Sequence, residues 1–218
     1  MRTTAPAQER SGRSARQRLL DAADELFYDE GVHTVGIDRI IEHAGVAKAS
    51  LYNSFGSKED LIEAYLDSRH ARTTARLTAA VEQHTDPVER LYAVFDAQAE
   101  MLAQPNFRGC AFISASAEAP PGGMIEHAAD SYRADIRDLL TGLAADAGAL
   151  DPATLGRQLH LIYDGAILSG RMDRDPSIAV VARAAVTALL TAALPSHGSG
   201  QQPHPTAQPT RQPEEEHP

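Results

Sequence analysis

Helix-start signals recur along this chain and limit it to very few folds. Asp86, Asp151 and Asp175 are each followed by proline, so a capping carboxylate precedes a residue whose φ angle suits the first helical turn. Glu89 adds the second member of a capping box after Asp86. Alternation of apolar and polar residues with a period of two is not evident between turn residues. The sequence therefore predicts an all-α fold.

Apolar periodicity predicts nine helices and two polar chain ends. The predicted helices span residues 14–29, 37–44, 47–55, 58–83, 87–103, 110–117, 124–147, 152–168 and 176–193. The first three fall in a small domain, 14–57, and the others in a larger helical domain, 58–194. Residues 1–13 form a basic arm and residues 195–218 a proline-rich polar tail, and both are predicted to be disordered.

Composition narrows the classes of function. The net charge of −10 over 218 residues argues against a protein that coats nucleic acid along its whole length, although one basic patch on an acidic body is compatible with it. Cys110 is the single cysteine, so an intramolecular disulfide is impossible. The start of the chain lacks the apolar core of a secretory signal, and we expect a cytoplasmic protein.

The last predicted helix is apolar on most of its faces. It is slightly shorter than the roughly 20 residues that a bilayer span requires, and Arg183 lies inside it. We interpret it as a buried helix of a soluble protein. A helix of this kind needs cover on most faces, which suggests a second subunit.

The second and third helices are joined by a tight turn. Leu19, Leu26 and Phe27 lie on one stripe of the first helix, and Ile40 lies on a shorter stripe of the second. Gly45 follows the second helix where a left-handed residue is least costly, and the next helix begins almost at once. This pattern predicts a helix-turn-helix.

The third helix has an apolar side and a small polar side. Leu51 and Phe55 point towards the core, while Ala49 and Asn53 point nearly opposite. Ala49 suits a thymine methyl group and Asn53 an adenine edge. The flanking residues that can reach base edges or phosphates are Lys48, Ser50 and Tyr52, and Lys58 begins the next helix where phosphate is favoured. A structural helical hairpin or a protein-binding module is the alternative interpretation.

Residues 31–66 resemble the DNA-binding domain of the tetracycline-repressor-like (TetR) family of bacterial transcriptional regulators. The matching features are Gly31, the apolar set of the second helix, the turn Ala44-Gly45-Val46, Leu51-Tyr52 with Phe55, and Ser57-Lys58 with Leu61. The resemblance implies a ligand-responsive regulator, more often a repressor than an activator, that binds a palindromic operator as a homodimer. Its partners would be double-stranded DNA and a small-molecule effector.

The resemblance also implies roles for individual residues. Tyr52 and Lys58 match residues that commonly bind phosphates, and Lys48 and Asn53 match positions that commonly face the groove. Gly36 departs from the family, where Ser or Thr often caps the second helix. Arg39 can supply a backbone contact instead, or it can be a solvated arginine. The arm has basic residues, Arg2, Arg10 and Arg13 among them, that can contact DNA or merely keep the chain end soluble.

In the larger domain the resemblance implies a ligand pocket and a four-helix dimer interface. The candidate pocket residues, for each of which core packing is the alternative, are Met101, Phe107, Cys110, Phe112, Ser114, Tyr132 and Tyr163. The candidate interface stripes on the last two helices are Leu155, Leu159, Ile162 and Ala166, and Ile178, Val181, Ala185 and Leu189.

Other chemistries lack support in the sequence. There is no glycine-rich phosphate loop, G-x-S-x-G elbow or H-E-x-x-H helix, so we expect neither an enzyme nor a cofactor. The histidines form no i, i+3 or i, i+4 pair, and one cysteine cannot build a zinc site, so no metal is expected. Cys110 is a candidate redox sensor or a small buried residue.

Overall fold

The computed structural model describes residues 13–195, and within that range it contains nine α-helices and no β-strand. The helices are α1 (Ala15–Glu30), α2 (Ile37–Ala44), α3 (Lys48–Phe55), α4 (Lys58–Glu82), α5 (Pro87–Leu102), α6 (Ala111–Glu118), α7 (Met124–Asp146), α8 (Pro152–Asp173) and α9 (Ile178–Ala193). The predicted all-α fold is confirmed. The predictions for Arg2, Arg10 and most of both chain ends lie outside the described residues.

The first three helices share a small core. On α1 the predicted stripe is buried, with Leu19, Leu26 and Phe27 at most 6% exposed. Ile40 of α2 and Leu51 of α3 are fully buried against it. Helix α4 packs on α1 as well and continues into the larger domain, so one long helix connects the two parts of the molecule.

Two of the three Asp-Pro signals lie at helix starts, as predicted. The Asp86 carboxylate accepts hydrogen bonds from the backbone N–H groups of Val88 and Glu89, and Asp151 accepts one from Thr154. The prediction for Asp175 is wrong by two residues. Its carboxylate accepts from the N–H of Ser177, which closes a turn before α9 begins at Ile178.

Helix α8 is five residues longer than predicted. The Ser169-Gly170 pair does not end it, and it continues to Asp173, with Arg174 in the left-handed conformation behind it. The space at Gly170 is small, since a Cβ atom at this position would lie 2.7 Å from a methyl carbon of Leu102. In the sequence this glycine suggests the end of a helix, but in the structure it lies inside α8 and allows close packing against α5.

The stripe predicted as the α8 interface faces the chain's own core instead. Leu155, Leu159 and Ala166 are at most 4% exposed in the single chain, because they pack against α7, α9 and α5. Of the other predicted interface residues, Ile162, Ile178, Ala185 and Leu189 are half-buried, and Val181 is 61% exposed.

A different apolar surface is exposed on the same two helices. We call it the outer stripe, and it consists of Leu161, Gly165, Leu168 and Met172 of α8 with Val180, Val181, Ala184 and Ala188 of α9. The spacing of each set is helical, so each forms one continuous face. None of the described helices, α9 included, combines the length and apolarity that crossing a membrane would require.

Candidate nucleic-acid interface and ligand cavity

Helices α2 and α3 are separated by a turn of three residues. Gly45 adopts the left-handed conformation (φ 62°, ψ 44°), and its N–H donates to the carbonyl of Glu42. The N–H of Val46 donates to the carbonyl of Ile41 at 3.3 Å. These bonds satisfy the free carbonyls at the end of α2 and fix the direction in which α3 leaves.

Helix α3 is anchored by two buried residues and leaves one side of its surface exposed. Leu51 is fully buried and Phe55 is 9% exposed, and both point into the small core. We call the exposed residues Lys48, Ala49, Tyr52 and Asn53 the recognition face. Ser50, beside them, is half-buried. Five of the eight predicted DNA-binding residues therefore lie together on this one helix.

The other three predicted DNA-binding residues surround α3. Gly36 precedes α2 in extended backbone and supplies no side-chain cap. Lys58 is the first residue of α4, and its ammonium lies 6.0 Å from the centre of the Phe27 ring. Arg39 is exposed on α2. These positions are compatible with contacts to the phosphates on either side of a groove.

Two of the cations at this surface have acidic partners within the chain. Both Nη atoms of Arg39 donate to the carboxylate of Glu30, one of them at 2.7 Å. The Lys48 ammonium donates to Asp38 at 3.0 Å, and this hydrogen bond raises the pKa of Lys48. Both pairs are largely exposed, so they are weak and can open to a phosphate.

A cavity of about 230 Å³ lies between the small domain and the bundle. Five of the seven predicted pocket residues line it, namely Met101, Phe107, Cys110, Phe112 and Tyr132. Phe112 and Tyr132 stack with their ring centres 4.1 Å apart. Burial raises the pKa of the Tyr132 phenol, so this hydroxyl stays protonated and can donate.

The other two predicted pocket residues do not line the cavity. The Ser114 hydroxyl accepts a hydrogen bond from Arg171 at 2.6 Å. Tyr163 is buried in the bundle core, where its carbonyl accepts from the side-chain amide of Gln98 at 2.8 Å. For Tyr163 the core-packing interpretation fits its burial better.

Sequence reasoning missed the polar wall of the cavity. Tyr28 of α1 and the arginines Arg69, Arg72 and Arg76 of α4 also line it. The signal was present, because positions i, i+3 and i+7 lie on one face of a helix. Three arginines on one stripe, with no acidic residue between Asp67 and Glu82, could have indicated this wall.

Cys110 precedes α6 and is mostly enclosed. Burial raises the pKa of its thiol, so the reactive thiolate is disfavoured. This environment fits a small buried residue better than a peroxide sensor. The redox role of Cys110 stays a hypothesis, which a Cys110→Ser variant tests. If peroxide releases this variant from the operator as it releases the wild type, Cys110 is not the sensor.

The cavity wall is bonded directly to the small domain. The Tyr28 hydroxyl donates to the carbonyl of Gly109 at 2.9 Å and accepts from the N–H of Arg108 at 3.0 Å. The Arg69 guanidinium lies 3.8 Å from the centre of the Tyr28 ring and binds both carboxylate oxygens of Asp24 on α1. A change in the cavity can therefore reach α1 through contacts between neighbouring residues.

Comparison with known proteins places this arrangement among regulators. The profile described as "Bacterial regulatory proteins, tetR family" matches residues 19–65. The crystal structure of a TetR-family transcriptional regulator from Streptomyces coelicolor is similar to the chain with a TM-score of 0.79 and 37% identity, covering 82% of this chain and 95% of that one.

Two curated regulators are similar to less than half of the chain. The transcriptional activator FasR of Mycolicibacterium smegmatis is 38% identical over 42% of this chain and 40% of its own length. The transcriptional repressor KstR2 of Mycobacterium tuberculosis is 32% identical over 41% of this chain and 44% of its own length. The chain thus spans less than half the length of each of these relatives.

Proposed function

The chain belongs to the TetR family of helix-turn-helix transcriptional regulators, and from this membership we propose that it is a dimeric repressor released from a palindromic operator by a small molecule. The observation that supports the proposal most is the recognition face on α3. Its residues are exposed, small or polar, while Leu51 and Phe55 hold the helix from behind. A rigid helix with a free polar face is what the major groove admits.

Each residue around this face has a proposed part in binding DNA. Asn53 reads a base edge and Ala49 contacts a thymine methyl group, because both project from the centre of the recognition face. Tyr52 and Lys58 bind phosphates on the flanks. Lys48 and Arg39 exchange Asp38 and Glu30 for phosphate oxygens when the protein docks, which adds to the salt dependence of binding.

The outer stripe is the proposed dimer contact. Leu161, Met172 and Val180 are each more than 70% exposed in the single chain, which is unusual for apolar side chains of this size. Gly165 lies between them with no atom within 4 Å of its Cβ position, so a second α8 can approach closely. A twofold contact here would set two recognition helices about 34 Å apart, one DNA turn.

Release follows from the contacts between the cavity and α1. Arg69 and Tyr28 belong both to the cavity wall and to the attachment of α1, so a ligand that shifts them also shifts the small domain. The altered spacing of the two recognition helices then no longer fits successive grooves. Effector and operator oppose each other through one equilibrium, and each lowers the affinity of the other by the same factor.

The proposal is tested by selecting the full chain against random duplex DNA at moderate salt, followed by titration of the enriched sequence. We expect a palindrome whose half-site centres are about 10 base pairs apart. The alternative, a helical protein-interaction module, predicts that no sequence is enriched and that no duplex binds at any salt concentration. That result would reject the proposed function.

A further inference from the structure

We propose that the cavity binds a small aromatic monocarboxylate, whose carboxylate pairs with Arg76 and whose ring lies against Phe112. This assignment rests on the proposed function in one respect, since it gives the chemical class of the effector. The binding itself depends on the cavity alone and can be measured without DNA.

The charge of the cavity wall favours an anion. Three guanidinium groups, those of Arg69, Arg72 and Arg76, project from one stripe of α4. Asp24 is the acidic partner of the first two, and it binds Arg69 at 2.6 and 3.0 Å. None of the described residues that line the cavity is an aspartate or a glutamate. A cationic ligand would therefore meet excess positive charge.

Arg76 is the group that lacks a matching partner. Within residues 13–195 its Nε atom is buried without a hydrogen-bond partner. One Nη atom lies 3.4 Å from the sulfur of Met101, which is a weak acceptor. A buried donor of this kind is costly when unpaired, and the planar guanidinium matches the two oxygens of a carboxylate. A carboxylate in the cavity would give the Arg76 guanidinium the charged acceptor that it lacks.

The rest of the cavity suits a flat apolar body. The stacked rings of Phe112 and Tyr132 form one wall, and Phe107, Met101 and Ile167 add apolar surface. A volume of about 230 Å³ corresponds to roughly eight groups the size of a water molecule. This space is sufficient for a single substituted ring.

The experiment is isothermal titration calorimetry of the full chain, without DNA, with benzoate, phenylacetate and 3-phenylpropionate and with the matching primary amides. We expect at least one acid to bind, and its amide to bind at least about tenfold more weakly, because the amide has no charge to pair with Arg76. Equal affinity of acid and amide, or binding by none of the acids, would overturn the assignment.

Variants test whether Arg76 is the group that pairs with the carboxylate of the ligand. Arg76→Gln should weaken binding of the acid at least about tenfold and leave the amide unchanged. Arg90→Gln is the matched control, because Arg90 pairs with Asp146 and does not line the cavity, and it should bind the acid as the wild type does. If Arg76→Gln does not fold, Arg76→Lys keeps the charge without the planar fork and should bind more weakly than the wild type. Wild-type affinity in either folded variant would refute the role of Arg76.

Failure of the inference and failure of the proposed function give different results. Lys58→Ala should bind the acid normally while losing DNA affinity, since Lys58 is outside the cavity. If the chain binds the acid but selects no operator, the proposed ligand class stands and the proposed regulatory function is rejected. If the chain selects an operator but binds none of the acids, the proposed function stands and the proposed ligand class is rejected.

Discussion

At the scale of single residues, we propose that Tyr52 of the recognition face and Lys58 beside it bind phosphates, whereas Asn53 of that face reads a base. Lys58→Ala and Tyr52→Phe should weaken binding to every duplex by a similar factor, because phosphates are the same in all sequences. Asn53→Ala should instead lower discrimination at one base position by about 1–3 kcal/mol. Titration against the selected operator and its single-base variants measures both effects.

The salt dependence provides the control for this division. Lys58→Ala should reduce the slope of log affinity against log salt by about one unit for each protomer, whereas Asn53→Ala should leave the slope unchanged. An equal loss of sequence discrimination in all three variants would contradict the assigned roles.

His160 makes stability depend on pH in a defined direction. It is 5% exposed, and its Nε2 atom lies 3.6 Å from the Asp164 carboxylate. Burial outweighs this carboxylate and lowers the pKa of His160 from its usual 6.5. The unfolded chain therefore takes up the proton first, so stability is full above pH 6.5 and falls as the pH drops towards the lowered folded pKa.

We therefore expect the melting temperature of the wild type to fall more steeply between pH 7 and pH 5 than that of His160→Gln, which has no titrating group there. Thermal unfolding of both proteins across this interval is the measurement. Parallel curves would show that His160 carries no net linkage.

The exposure of a side chain could be predicted where it depends only on the residue's position around a single helix. The exposure of Ala49 and Asn53 opposite Leu51 follows from the helical period alone, so the sequence predicted it. The ion pairs of Arg39 with Glu30 and of Lys48 with Asp38 span nine and ten residues and join different helices. Their geometry depends on how α1, α2 and α3 pack, which no local pattern contains.

At the scale of elements, α7 and α8 pack closely where Gly156 faces Thr141. A Cβ atom on Gly156 would lie 2.9 Å from the Thr141 Cα atom, which is backbone and cannot rotate away. Gly156→Ala should therefore destabilise the fold by about 1–3 kcal/mol, although alanine is the better helix former. Denaturant unfolding measures this change.

Gly142→Ala on α7 is the matched control. No atom lies within 4 Å of its Cβ position, so the substitution should stabilise the fold by up to about 1 kcal/mol. A stabilising Gly156→Ala would show that α7 and α8 separate at little cost.

The last two helices show where element-scale prediction reaches its limit. Both α8 and α9 are apolar on two faces, and periodicity cannot decide which face meets the chain's own core. The predicted stripe with Leu155 and Leu159 proved to be the internal one, and Leu161 and Met172 lie on the exposed one. The choice depends on the angle at which α8 packs on α7, which is a property of the assembled bundle.

At the scale of the whole molecule, the outer stripe carries the proposed dimer. Leu161→Asp combined with Val181→Asp places one charge on each of the two exposed faces, and burying these charges unpaired is costly. We expect this variant to be monomeric and to lose operator affinity, because one recognition helix alone contacts half the site. Light scattering after size-exclusion chromatography gives the mass.

Leu150→Asp is the control for that variant. Leu150 is 85% exposed between α7 and α8 and is not part of the outer stripe, so this change should leave mass and operator affinity unaltered. A folded double variant that keeps the wild-type mass would place the dimer contact elsewhere.

The most direct test of the regulator is a titration of the selected operator and a scrambled duplex across a range of salt concentrations, with the mass of each complex measured. The account predicts two chains on the operator and a preference over the scrambled duplex of at least about a thousandfold. It also predicts affinities for both duplexes that fall steeply with salt. Equal affinity for the two duplexes, or binding to neither at low salt, would contradict it.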